Sequence, residues 1–427
     1  MATTKRTRTA VALLIDLSVM LASTLMLLFS FVRGPIDNQS VAQQPALLPS
    51  LGIALSDGAI NQAITSFESG ETGVDIRAIK LVEGLTTEQK VAQLFFVTPE
   101  DLISDKNVPA VTVCGDLTKA GLKRRPVGGI IYFRKNLESE DQTTELLTLT
   151  QNVAQDVCGV PILLGVDEEG GTVSRIGTNP GFGFADVGDM RAIGDSGDED
   201  RARDVAHDVG ACLSELGFTA NLAPVADVAD NPDSNVMARR SFGADKDLVA
   251  QMVAAQVEGY RSEAIICCAK HFPGIGGAVG DSHDNLIKSS KSLDELLDNE
   301  LVPFAAAIEA GVPMIMVGHI ACPAVTGDDT PASLSPTIMG DVLRDRLGFT
   351  GVVVTDSLQM GAVNAGESGD LAVRSFLAGA DALLMPTDFD AAYDAVLAAV
   401  KNGEINPQRL DLSVIRIVRM KLAYVRG

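Results

Sequence analysis

Tryptophan is absent from the 427 residues, tyrosine occurs four times, and aromatics make up only 4%. A long stacking groove, which needs several flat rings in succession, is therefore excluded as the main binding device. Histidine is nearly as scarce: His207, His271, His283 and His319 are the only four. No two of them are spaced to ligate a metal from one helix face, and no C-x-x-C pair occurs among Cys114, Cys158, Cys212, Cys267, Cys268 and Cys322. No metal and no cofactor are expected on that basis. Cys267 and Cys268 fall in an apolar run and read as small core residues, while spacing alone leaves any disulfide pairing open. Positive charge is also in deficit, since 34 Lys+Arg against 56 Asp+Glu give a formal net charge of −22. Nucleic acid is excluded as a partner, because neutralising phosphates needs clustered cations.

Hydrophobic residues make up 46% and charged residues 21%, the balance of a globular chain with a sizeable core. Lys5, Arg6 and Arg8 precede an almost uncharged apolar run from Ala10 to Val32, broken only by Asp16 and a few hydroxyl residues. That run is about the length that spans a hydrocarbon core, with basic residues on the side that stays in the cytoplasm. Arg33 and Gly34 follow it, with no A-x-A cleavage site. The expectation is a signal anchor or transmembrane helix at 1–33, a linker or stalk at 34–82, and a single catalytic domain at 83–427. The chain would then be a single-pass protein of the cell membrane with its catalytic domain outside the cell; secretion after signal cleavage is the alternative.

From residue 84 onward, short apolar runs alternate with helical patterns. Thr86-x-x-Gln89 and Ser292-x-x-Glu295 are capping boxes; the second opens a helix carrying Leu296, Leu297, Leu301, Phe304 and Ile308 and ending at Gly311. Eight runs are apolar on both faces, as buried parallel strands must be: Leu94–Val97, Gly129–Phe133, Ile162–Val166, Ala220–Ala223, Ile265–Cys268, Met314–Val317, Gly351–Val354 and Ala382–Met385. Eight strand–helix units predict an α/β fold of the (β/α)8, TIM-type class, with a doubly wound open sheet as the alternative. Polar residues follow five of these runs: Asp167, Asp227, the pair Lys270–His271, His319 and Asp356. In a parallel barrel such positions converge on one mouth.

These residues sit in recognisable motifs. Lys270-His271-Phe272-Pro273-Gly274 followed by Asp281-Ser282-His283 resembles the K-H-F-P-G-H-G…D-S-H signature of glycoside hydrolase family 3, in its bacterial β-N-acetylglucosaminidase (β-N-acetylhexosaminidase) branch. Val166-Asp167-Glu168-Glu169-Gly170-Gly171 is similar to that family's V-D-x-E-G-G, and Asn221–Val228 to its N-x-A-P-V-x-D-V. Arg240-Ser241-Phe242-Gly243 resembles its R-S-F-G, and Thr355-Asp356-Ser357-Leu358-Gln359-Met360 its nucleophile segment. The motifs run in order from about Leu85 to Met385. The resemblance implies a retaining exo-glycosidase acting on a GlcNAc-containing carbohydrate, such as peptidoglycan fragments, with Asp356 as nucleophile. It also implies that His283, oriented by Asp281, is the acid/base, and that Asp167, Lys270, His271 and Arg240 bind the hydroxyls of the terminal sugar. A carboxylate that attacks and a second group that gives and then takes a proton are what this chemistry requires.

Two departures stand out. Ile275 replaces the family's second histidine, removing a polar group from the loop, and Ile287 replaces a proline downstream of His283. The competing readings are a related family 3 β-glycosidase or phosphorylase, and a membrane-tethered glycan-binding protein whose catalysis has decayed. The oligomeric state is not legible in the sequence.

Overall fold

The computed structural model describes residues 73–103, 108–231, 237–278, 285–363 and 367–424. The expected anchor at 1–33 lies outside the described residues, as do Asp281 and His283. Among the described residues, no helix is long and apolar enough to cross a membrane.

Ten short strands form: β1 Phe95–Val97, β2 Gly129–Tyr132, β3 Leu163–Val166, β4 Ala220–Asn221, β5 Ile266–Phe272, β6 Ile287–Lys288, β7 Met314–Val317, β8 Ile320–Ala321, β9 Val352–Thr355 and β10 Leu383–Leu384. Eight of them make one parallel sheet in the order β10-β1-β2-β3-β4-β5-β7-β9, while β6 and β8 pair separately. The two ends of the large sheet meet through a parallel bridge between Val354 and Ala382. Asp381 and Ala382 both donate their N–H to Val353 O, and Thr355 donates to Ala382 O. The ring is thereby closed, as the expected (β/α)8 barrel requires, and the open-sheet alternative fails. Every barrel strand corresponds to one of the eight apolar runs. Their residues are buried on both faces because one side packs into the barrel and the other against helices.

The outer layer follows from local signals. Ser139 caps the helix Glu140–Cys158, which ends on Gly159 at φ 69°; Asp198 caps Glu199–Leu216, and Asp245 caps Lys246–Ser262. Both capping boxes form as expected. The helix expected from Ser292 to Gly311 is instead two pieces, Leu293–Asp298 and Val302–Glu309. Pro303 explains the break: it suits the first turn of a helix and lacks the N–H that an uninterrupted helix would use. The Lys270–His271 pair was expected beyond its strand but lies within β5, which runs four residues further than the apolar run.

The linker boundary also needs correction. Residues Gly73–Glu83 form a helix, α1, with Ala78 and Val82 fully or almost fully buried and Asp75 paired to Arg419 at 2.6 Å. Its partner is the C-terminal helix α13, Pro407–Tyr424 (numbering the intervening α-helices in chain order). Apolar residues at 74, 78, 79, 81 and 82 make a helical stripe within the segment expected as a linker or stalk. The packed unit therefore begins at least ten residues before position 83.

Helix α13 closes the end of the barrel where the strands begin. Asp381, two residues before β10 and fully buried, meets Arg344 at 2.5 Å, Arg416 at 3.1 Å and Ser413 Oγ at 2.5 Å. Burial alone would raise its pKa, but the surrounding guanidiniums outweigh that and hold it far below the carboxylate range. On the same helix Lys421, fully buried, donates to Gln93 Oε1 at 2.8 Å and has no carboxylate partner among the described residues. Burial pushes its ammonium down to about 7. In an unfolded chain a lysine titrates at about 10.4, so between those values the unfolded state holds the extra proton and the Lys421 contribution to stability rises with pH; the buried thiols of Cys267, Cys268 and Cys322, pushed up by burial, contribute in the opposite sense. Urea unfolding of the wild type and Lys421→Met at pH 7 and pH 10 isolates this lysine: the variant should be more stable by on the order of 1 kcal/mol or more at pH 7, and that advantage should shrink at pH 10.

Candidate active site

A cavity of about 750 Å³ opens where the barrel strands end, a size in the usual range for small-molecule sites. Asp167, Arg240, Lys270, His271 and Asp356 all line it, although they come from four different strand–loop junctions. Every sugar-binding residue expected from the sequence, and the expected nucleophile, is thus brought to one place.

The segment after β3 sends three consecutive carboxylates in three directions. Asp167 is half-buried and accepts from Lys270 Nζ at 2.8 Å. Glu168 turns back into its own loop and accepts from Ser174 Oγ (2.6 Å) and from the N–H groups of Arg175 (2.6 Å), Ile176 (2.8 Å) and Gly177 (3.1 Å). Asn221 at the end of β4 ties the Glu168 backbone from both sides, donating to its O and accepting from its N–H, each at 2.9 Å. Glu169 reaches across to Lys270 Nζ at 2.6 Å and takes both Nε and Nη2 of Arg240 at 2.8 Å. Gly170 and Gly171 permit the reversal that follows, with φ of 99° and 56°; a Cβ on either would collide with Gly188 O or Asp189 Oδ1.

Glu169 is 4% exposed. Burial pushes its pKa up, but the Lys270 and Arg240 charges more than cancel that and bring it to about 2. The same contacts raise Lys270 and Arg240 above their ordinary values against the cost of burial, so both remain cations.

Asp227 is fully buried and collects three N–H donors: His271 N (3.2 Å), His271 Nδ1 (2.8 Å) and Ile275 N (2.7 Å). A carboxylate only accepts, so Nδ1 carries the proton of His271 and Nε2 is left for other partners. Ile275, the departure from the family pattern, is itself buried with its side chain near Gly318, and it holds the loop through its backbone.

Asp356 follows β9 directly. Its N–H donates to Val317 O at 2.8 Å and its Oδ1 accepts from Ser357 N at 2.7 Å. His319, fully buried, braces the same turn: Nε2 donates to Ser357 O at 2.9 Å and Nδ1 meets Ser333 Oγ at 2.7 Å. Burial would raise the Asp356 pKa, but the charges of His271 and His319, the Ser357 N–H and Lys270 together lower it. The group is a fixed, ionised carboxylate at neutral pH, which is what an attacking oxygen must be.

The sequence assigns no role to three residues of this site. Glu169 stands within the quoted V-D-x-E-G-G stretch, and its pairing with Arg240, 71 residues away, is a tertiary event. Asp227 was noted only as following a strand. Arg175 lines the cavity with its guanidinium 5.7 Å from the Phe133 ring and its buried Nε without a hydrogen-bond partner. A lone arginine in a loop carries no sequence signal for that role. Asp227→Asn should cost about 1–3 kcal/mol of stability by thermal melting, because an amide presents its own N–H groups to donors that need an acceptor.

A closed parallel barrel whose mouth holds an ionised carboxylate beside fixed charged donors is equipped for hydrolysis of a small polyhydroxylated substrate. Comparison with known proteins gives the class a family. The model of the glycosyl hydrolase family 3 N-terminal domain matches residues 86–420. The chain is 32% identical to beta-hexosaminidase LpqI of Mycobacterium tuberculosis over 342 residues, covering 76% of this chain and 83% of that one. It is 32% identical to beta-hexosaminidase A of Pseudoalteromonas piscicida over 322 residues, covering 70% of this chain but only 54% of that protein. Among solved structures, a family 3 β-N-acetylglucosaminidase from Paenibacillus sp. FPU-7 superposes with a TM-score of 0.73 at 36% identity, over 80% of this chain and 64% of the other. The chain thus spans about half to two thirds of some relatives and most of others. It belongs to glycosyl hydrolase family 3, in the β-hexosaminidase branch of that family.

Proposed function

We propose that this chain is a retaining exo-β-N-acetylglucosaminidase that removes terminal β-linked GlcNAc from peptidoglycan fragments or related glycans. The observation that carries the reading is Asp356: a carboxylate kept ionised and held at the end of β9, in the same cavity as Asp167, Lys270, His271 and Arg240. In this scheme an Asp356 oxygen attacks the anomeric carbon as the bond to the leaving oxygen breaks. His283, paired with Asp281, protonates that oxygen and then deprotonates the water that releases the sugar. The lysine and arginine donate to the sugar hydroxyls, and Asp167 accepts from them. The roles of Asp281 and His283 rest on the motif resemblance, since both lie outside the described residues. The names of the relatives support the choice of N-acetylhexosamine, and the scarcity of aromatic rings supports action at a chain end. The basic, apolar run at 1–33 supports tethering to the cell membrane with the barrel outside.

The test uses the full chain with chromogenic β-N-acetylglucosaminide and β-glucoside as substrates, beside Asp356→Ala. Turnover of the first in preference to the second, reduced ~10³-fold or more in the variant, is expected. Turnover that survives in Asp356→Ala would remove it as nucleophile. Binding of N-acetylglucosamine with no hydrolysis of either substrate would favour the glycan-binding alternative.

A further inference from the structure

We propose that Glu169 is the positioning residue of the sugar site: its buried carboxylate aims Lys270 and Arg240 at the ligand and keeps both cations off Asp356. The inference rests on the reading of the cavity as the sugar site and of Asp356 as its nucleophile.

The geometry is specific. Three of the roughly four acceptor directions of a carboxylate are occupied, by Lys270 Nζ at 2.6 Å and by Arg240 Nη2 and Nε at 2.8 Å each. Lys270 is also held by Asp167 at 2.8 Å, so it bridges two carboxylates and keeps one donor spare. Arg240 spends two of its five N–H groups on Glu169 and keeps the remaining three for other acceptors. Each cation is thus pinned by one end with unused donors left over. Donors already fixed in place lose little freedom when a hydroxylated ligand arrives.

The charge count points the same way. Lys270 and Arg240 are balanced by Asp167 and Glu169. With the Glu169 charge removed, this group would carry one uncompensated positive charge, and Asp356 already feels Lys270. An unbalanced cation in a site of reduced dielectric would be drawn to the attacking carboxylate, lowering its basicity and masking it. Glu169 is itself held by the turn Gly170–Gly171 and by its N–H donating to Val173 O at 2.8 Å. It lies at 4% exposure, where only a permanently paired carboxylate is tolerated.

Glu169→Gln and Glu169→Asp should be compared with the wild-type full chain by two measurements: the pH profile of kcat/KM on chromogenic β-N-acetylglucosaminide, and the Kd for N-acetylglucosamine by calorimetry. The glutamine variant should bind the sugar about tenfold to a hundredfold more weakly, because Lys270 and Arg240 lose the charged acceptor that fixes their donors. Its acid limb should move to lower pH, because the unbalanced cations favour the ionised form of Asp356. The aspartate variant, which restores the charge on a shorter arm, should return the acid limb to its wild-type position and recover part of the affinity. A merely structural role would lower the amplitude of the profile without displacing the limb. Unchanged Kd together with an unchanged acid limb in Glu169→Gln would overturn the proposal. A wild-type chain that binds the sugar without hydrolysing the glycoside would defeat the nucleophile reading instead, and the Kd comparison would still decide whether Glu169 aims the two cations.

Discussion

Closure of the parallel ring is the constraint on which the rest of the molecule depends. Parallel strands of two to seven residues, apolar on both faces, have no stable exposed edge. The hydrogen bonds that join Val353 and Thr355 to Asp381 and Ala382 remove that edge and complete the barrel. Beyond them Leu358 N–H donates to Leu384 O at 2.9 Å, and Asp356 and Met385 both line the cavity. Without closure, the ends of β3, β5 and β9 would not face a common cavity.

Both ends of this barrel bury charge, and they solve the problem in opposite ways. At the closed end Asp381 is saturated by arginines and Ser413 against the C-terminal helix, and the cluster is a rigid, fully compensated block. At the open end the ion pairs of Lys270 and Arg240 are incomplete by design of geometry, since each cation retains donors that face the cavity. The same physics, compensation of a desolvated charge, gives rigidity in one place and a binding surface in the other. His319 and Asp227 extend this open end inward: neither is exposed, and each fixes a backbone turn that carries a cavity-lining group.

Much of this was legible in residue order. Apolar runs of four or five residues mark strands buried on both faces, and all eight did so. A polar residue at the end of such a run projects into the mouth, which is why Asp167, Lys270, His271 and Asp356 were identifiable and why Arg240 followed from its motif. The failures were of a different kind. The stripe at 74–82 was overlooked because its partner is α13, more than three hundred residues later in the chain. The division of the helix after Ser292 turned on Pro303, a local signal outweighed by the longer apolar period around it.

The sequence by itself determined the class of fold, the family and the residue types at the mouth, because strand periodicity and short motifs are local properties. Tertiary structure decided which carboxylate does what. Asp167, Glu168 and Glu169 are neighbours with nearly equivalent side chains; the motif points to Asp167 at the mouth, but nothing in their order separates the roles of Glu168 and Glu169. One faces the cavity, one is consumed by backbone N–H groups, and one is clamped between two cations from β5 and the loop after β4. That division depends on electrostatic partners brought together only when the ring closes, and a charge acquires its role from what surrounds it.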